Sequence, residues 1–327
     1  MKKTIKAIVC LAMVVALCAS FAGCAKIGYV TNGTIKAINE VKSGEWQNGG
    51  ADAADPAAAA NAEGDPVVLE AEFTEGTYGG KEFKTVDDVV AYYVEVFNYN
   101  RTLTAPYKEA GAAKTYYKLL GDEDLQVKNI LVEGKKSTVL EKLVPSIMGK
   151  LFSGTPKSLP PAANRDPQYD DREDGPNGSK LTQRESHLTA EDVLACNVKD
   201  NGDGTITIQI QPKAAELAMP DQDSQGRFFN VLGDITKTVA DVGVTFTEGD
   251  ANSNVKCIYK GGYGEVTVDT KTNEVTKAYY IMKTHLDVTH ANIAVLKDKN
   301  ASIDIEYTNT FPATDEFLKT SKDITRG

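Results

Sequence analysis

Apolar and polar residues alternate along most of the C-terminal half. Ile206, Ile208 and Ile210 alternate with Thr205, Thr207 and Gln209. Val255, Cys257 and Tyr259 alternate with Lys256 and Lys260, and Val266 and Val268 with Glu265, Thr267 and Asp269. Ala278, Tyr280, Met282, Leu286 and Val288 alternate with Lys283, His285, Asp287 and Thr289. Ile303, Ile305 and Tyr307 alternate with Ser302, Asp304 and Glu306. A period of two predicts strands with one dry face and one wet face. The segments between them, "DNGDG" (200–204), "GGYG" (261–264), "DTKTN" (269–273) and "KDKN" (297–300), carry turn residues. They suit hairpins, so the sheet is expected to be antiparallel.

Helical spacing marks the other elements. Thr85 and Asp88 form a capping signal. Val86, Val89, Val90, Tyr93, Val94 and Phe97 then recur at steps of three and four, which predicts an amphipathic helix over about 86–100. Thr138 and Glu141 repeat the cap ahead of Val139, Leu140, Leu143, Ile147 and Leu151, with Pro145 a kink. A third stripe, Phe228, Val231, Leu232, Ile235 and Val239, follows Asp223. Between the first two helices, Thr115–Leu120 and Leu125–Val132 read as a strand pair around "GDED". A sheet with one dry face needs a cover. The expected fold is α+β: a curved antiparallel sheet of five to seven strands, one face covered by two or three amphipathic helices.

The start of the chain changes the setting. Lys2, Lys3 and Lys6 precede an apolar run from Ala7 to Ala22, too short for a membrane span. Charge, apolar run and small residues together read as an export signal over 1–23. Cys24 follows Ala22-Gly23, as at a lipobox, where the cysteine is diacylated and becomes the new N-terminus. Phe21 stands where Leu is usual; ordinary secretion with cleavage near Ala25 is the alternative. Two acyl chains would hold the protein stably at a membrane. Residues 24–66 are rich in Ala, Gly and Asp over most of their length and are expected to form a flexible tether. Residues 67–327 are expected to form one domain, with a long loop at 153–187.

Net charge is −10 and falls further once the three signal lysines leave. That argues against a nucleic-acid partner and against attraction to anionic lipid. Two internal cysteines, Cys196 and Cys257, are too few for a disulfide framework. Each shares its parity with apolar neighbours, so both are expected to face the core, as one bridge or as two thiols. His285 and Asp287 share a strand face, with His290 on the other. They could seed a metal site, but a third ligand is missing and solvated strand residues are the simpler reading. "KDNGDGTIT" has calcium-like spacing at Asn201 and Asp203, but Lys199 and Ile210 would occupy ligand positions. "GGYGEV" lacks the third glycine and the helix of a phosphate loop. No residue set points to a cofactor or a catalytic group.

"LTAEDV" (188–193), a cysteine three residues later, "NGDGTITIQI", "GEVTVDTKTNEVTKAYYIMKTHLDV" and "IDIEYTNTF" together resemble a group of uncharacterised extracytoplasmic lipoproteins of clostridial gut bacteria. The likeness spans roughly 85–311 and carries structural motifs, not an active site. The succession of elements is more weakly similar to the LolA/LppX-like half-barrel, which implies an amphipathic ligand held between sheet and helices. The leading expectation is therefore a non-enzymatic binding module on the outer face of the cytoplasmic membrane, with a lipid or amphipathic ligand. A scaffold with an envelope protein as partner is the alternative, and an envelope hydrolase a third.

Overall fold

The computed structural model describes residues 65–136, 156–161, 185–231, 245–293 and 296–327. Cys24, the tether up to residue 64, the expected helix at 139–151 and most of the long loop lie outside them.

A small hairpin, β1 (Gly76–Tyr78) with β2 (Lys81–Phe83), leads into helix α1 (Val86–Asn100). Both halves of the Thr85 capping box form: the Asp88 N–H donates to Thr85 Oγ1, and the Thr85 N–H donates to Asp88 Oδ2 at 2.9 Å. The helix buries Val89, Val90, Tyr93 and Phe97, as its spacing predicts, and also Tyr92 and Val96, whereas Val86 and Val94 of the expected stripe are half-buried. Next come β3 (Thr104–Glu109), β4 (Ala112–Tyr117), β5 (Asp122–Val132) and β6 (Lys135–Lys136). β7 (Val193–Asp200), β8 (Thr205–Pro212), β9 (Ala215–Glu216) and β10 (Thr245–Phe246) follow. After the single-turn helix α2 (Ala251–Asn254) lie β11 (Val255–Tyr259), β12 (Tyr263–Asp269), β13 (Glu274–Ile293) and β14 (Leu296–Phe311). Helix α3 (Asp315–Lys322) and β15 (Ile324–Arg326) end the chain.

Ten strands form one antiparallel sheet whose main path is β6-β5-β14-β13-β12-β8-β7. The registers make it seven lines wide. β12 pairs with the first part of β13 (Gly264↔Tyr280), β11 with the next part (Cys257↔Leu286) and β10 with the last (Phe246↔Ala291). β8 and β9 likewise form a single line, Ile210 opposite Gly264 and Ala215 opposite Tyr259. "GGYG" is therefore not a hairpin turn, as its composition suggests, but a jog within one line. A Cβ on Gly262 would stand 2.5 Å from the Ile281 carbonyl oxygen, and one on Gly264 2.6 Å from the Phe228 ring. These glycines let the line run close against β13 and its aromatic cover.

Three expectations need correction. The sheet is open and flat, not curved. Alternation fixes which residues are dry, but flat and curled sheets share the same alternation. Second, among the described residues one long helix covers the dry face, where two or three are expected. Phe228–Val231 form turns and coil at the place where a helix is expected to begin, and the rest of that stripe lies outside the described residues. Third, the strands around "GDED" exist but do not pair with each other. β5 joins β14 (Val127↔Ile305), and β4 joins β3 (Pro106↔Thr115) in a separate sheet of order β15-β3-β4. Four residues pass between the two sheets. Gly121 is the tight point, because a Cβ there would meet the Phe311 ring at 2.5 Å.

The space between α1 and the large sheet is filled with rings. Tyr93 and Tyr280 share a hydroxyl hydrogen bond at 3.0 Å, and Phe228 packs between them with centroids 5.7 and 5.5 Å away. Phe83, Phe97, Phe228 and Tyr280 are fully buried. The three-stranded sheet and α3 form a second cluster around Tyr107, Tyr116, Leu120, Leu318 and Ile324. A buried ion pair stitches the junction: Lys157 Nζ lies 2.9 Å from Glu123 Oε1, and the Tyr307 hydroxyl donates to the other Glu123 oxygen.

Candidate functional site

The opposite face of the large sheet is open and polar, and two arrangements stand out on it. The first is built on β13, β14 and β5. Antiparallel register sets His285 opposite Asp304, with Asp287 two residues along β13 on the same face. His285 Nδ1 lies 2.6 Å from Asp304 Oδ1 and Nε2 3.2 Å from Asp287 Oδ1. The ring is thus held between two carboxylates. A bulge in β5 supplies the fourth member. Asn129 has φ +48°, a conformation that Asn tolerates better than most residues, and its Nδ2 donates to Asp304 Oδ2 at 2.8 Å. Lys128 and Lys283 flank the group, both paired with Glu306.

The hydrogen bonds to Asp287 and Asp304 raise the His285 pKa to about 9, against the opposing effect of burial. The ring is therefore a cation at neutral pH. Burial pushes the Asp304 carboxyl up, but the hydrogen bonds from His285 and Asn129 outweigh it and hold it below the usual range. Both ring nitrogens are engaged, so the ring cannot offer a lone pair to a metal or take a proton from a substrate. Among the described residues no three metal-ligating side chains converge on one point. His290 departs from its expected face. It has φ +50° within a bulged stretch of β13, so the parity shifts and its half-exposed ring pairs with Asp298 at 2.7 Å.

The second arrangement is a groove of about 510 Å³ over β7, β8 and β12. Its floor is a cross-strand row: Asn197 opposite Gln209, and Gln209 opposite Glu265. Asn197 Nδ2 donates to Gln209 Oε1 at 3.4 Å, and Gln209 Nε2 to Glu265 Oε2 at 2.8 Å. Lys199 and Thr207 lie beside this row, and Tyr263 forms a wall with its ring against Tyr279. The other rim is the extended segment Val68–Ala71. A single buried amide fastens it: Gln211 accepts from the Val68 N–H at 2.8 Å and donates to the Pro66 carbonyl at 2.7 Å. The Asp65 carboxylate adds a hydrogen bond from the Ala214 N–H. A smaller groove of about 370 Å³ touches Asp287, Lys256 and Ser302 at the other end of the face.

The remaining candidates from sequence have structural places. Cys196 and Cys257 are both buried and both free. They sit two lines apart and several residues along, roughly 20 Å at the usual strand spacing and rise, far beyond disulfide reach. Burial pushes the thiols up to about 11 and about 12. Asp203 accepts from the N–H and the hydroxyl of Thr205, and Asp200 from the N–H groups of Gly79 and Gly202. These carboxylates are spent on the β7–β8 turn and, through Gly79, on the β1–β2 turn. Sequence reading missed Asp304, Asn129 and the Asn197–Gln209–Glu265 row. Parity places Asp304, Asn197, Gln209 and Glu265 on the wet face, but which strands adjoin is needed to bring them together; Asn129 shares parity with buried Leu125 and Val127 and reaches that face only through the bulge. No family model, no curated protein and no solved structure matches the chain.

Proposed function

We propose that the chain is a lipid-anchored extracytoplasmic binding module, without enzymatic activity, that offers the polar face of its sheet to a ligand. One observation carries the reading. The dry face is closed by α1 and filled with rings, whereas the polar face stays open and holds both grooves. A ligand between helix and sheet would need space that Phe83, Tyr93, Phe97, Phe228 and Tyr280 occupy among the described residues. The lipobox-like run ending at Cys24 and the likeness to clostridial lipoproteins support the location on the outer face of the cytoplasmic membrane. Among the described residues no helix is long and apolar enough to cross a membrane. The flatness of the sheet favours a second reading, a scaffold that meets an envelope protein over a broad surface.

Hydroxyl-radical footprinting tests the proposal. Labelling in intact envelopes is compared with labelling of the purified full chain. Protection of Tyr263, Tyr279 and His285 in the envelope is the expected result. Equal labelling in both settings would refute a binding role for this face.

A further inference from the structure

We infer that the groove between Val68–Ala71 and β7–β8–β12 is a binding site for an uncharged oligosaccharide. This rests on the reading of the polar face as a binding surface, and it names the ligand class.

The chemistry of the lining excludes other classes first. The floor is amide, carboxylate and hydroxyl, so a lipid tail or aromatic drug-like molecule finds no apolar bed. Glu70 and Glu265 face a single ammonium, that of Lys199, so an anion such as a phosphate ester is repelled. An extended peptide lying in the groove cannot add as a strand to β8 or β12, whose backbones are paired on both sides; β7 is the terminal strand, and the peptide probe below tests its outer edge.

What remains fits a molecule covered with hydroxyl groups. Each hydroxyl both donates and accepts, and the floor offers both functions at short intervals. Adjacent members of the Asn197–Gln209–Glu265 row lie about 4.8 Å apart, the strand spacing. Each keeps capacity after its neighbour is bonded: Asn197 its oxygen, Gln209 its second N–H and Glu265 its other oxygen. Among the described residues the Lys199 ammonium makes no hydrogen bond or ion pair, and the Tyr263 hydroxyl makes no hydrogen bond. The Tyr263 ring is half-exposed and held by Tyr279 at 6.2 Å, which gives a firm wall for the C–H face of a sugar ring. The row is preorganised by its own hydrogen bonds and the rim by Gln211, so little ordering is left for binding to cost. The volume, about 510 Å³, lies within the range of roughly 300–1,000 Å³ for small-ligand clefts.

The test uses the detergent-solubilised full chain and calorimetric titration with neutral gluco-, manno- and N-acetylglucosamine oligosaccharides. A strand-forming peptide and phosphatidylglycerol micelles serve as the other probes. Saturable binding of at least one oligosaccharide is expected. It should weaken at least tenfold in both Gln209→Ala and Tyr263→Ala, with circular dichroism and Tm close to wild type. Lys199→Ala, on the exposed margin, is a second check that spares the fold and should weaken binding several-fold. Absence of saturable binding to any neutral oligosaccharide overturns the inference, as does binding indifferent to all three substitutions, or saturation by the peptide or the micelles alone. If sugar binding fails while the polar face is still protected in envelopes, only the ligand class falls. If both fail, the binding-module reading falls with it.

Discussion

Replacing His285 with Gln tests whether the imidazole between Asp287 and Asp304 is a stored positive charge. In the folded chain its pKa is about 9, against 6.5 for the free side chain. A folded value above the unfolded one means that protonation favours folding. The contribution is complete below about pH 6.5 and fades as pH rises through 9. At about 1.4 kcal/mol per pH unit, the difference corresponds to roughly 3 kcal/mol. The His285 side chain is only 22% exposed, but both aspartates are 39% exposed, so screening reduces the figure to about 1–2 kcal/mol. Urea denaturation of wild type and His285→Gln at pH 6 and pH 10.5 gives the comparison. Lysines and tyrosines also titrate over this range, so the quantity of interest is the gap between the two proteins. The gap should be about 1–2 kcal/mol at pH 6 and largely closed at pH 10.5. A gap that is the same at both pH values would refute the argument. So would a His285 Cε1–H resonance titrating near 6.5.

Other outcomes follow from single contacts. Lys157→Met leaves Glu123 buried without its cation and should cost about 3–5 kcal/mol in urea unfolding, and Lys157→Met with Glu123→Leu should recover part of that loss. Gly262→Ala drives a methyl group onto the Ile281 carbonyl and should lower stability by about 2 kcal/mol or more, read as a fall in Tm. Cys196 and Cys257 should both resist a thiol reagent in the native protein and both react after denaturation; a bridged pair would stay silent without reductant. Cys24→Ser should move the protein from the membrane fraction into the medium, and its retention in the membrane would count against the lipobox.

Local pattern carried much of this fold. Helix α1 lies within a residue of where the Thr85 cap and the 3–4 spacing put it, and the long alternating runs of β8, β13 and β14 were readable from period two alone. What escaped was relational. The hairpin of β3 and β4 is hidden because "TAPYKE" and "AAKTYY" alternate poorly and Pro106 interrupts the first. Composition makes the GGYG jog look like a turn because glycine serves both; only the register with β13 tells a chain reversal from a close approach. The His285 group shows the same limit. Asp287 is visible two residues away, but Asp304 and Asn129 come from other strands, and Asn129 arrives through a bulge that no periodicity announces.

The fastening of Asp65–Val68 has a mechanical meaning. A pull on the chain ahead of Asp65 reaches the body first through the Ala214 N–H and the two ends of the Gln211 amide. These bonds can open one after another, like a zip. The lines of the sheet, in contrast, would have to slide along their whole length at once. Tension would therefore peel the rim before it troubled the core. Because that rim is one wall of the larger groove, opening those bonds would also dismantle a wall that a ligand in the groove needs.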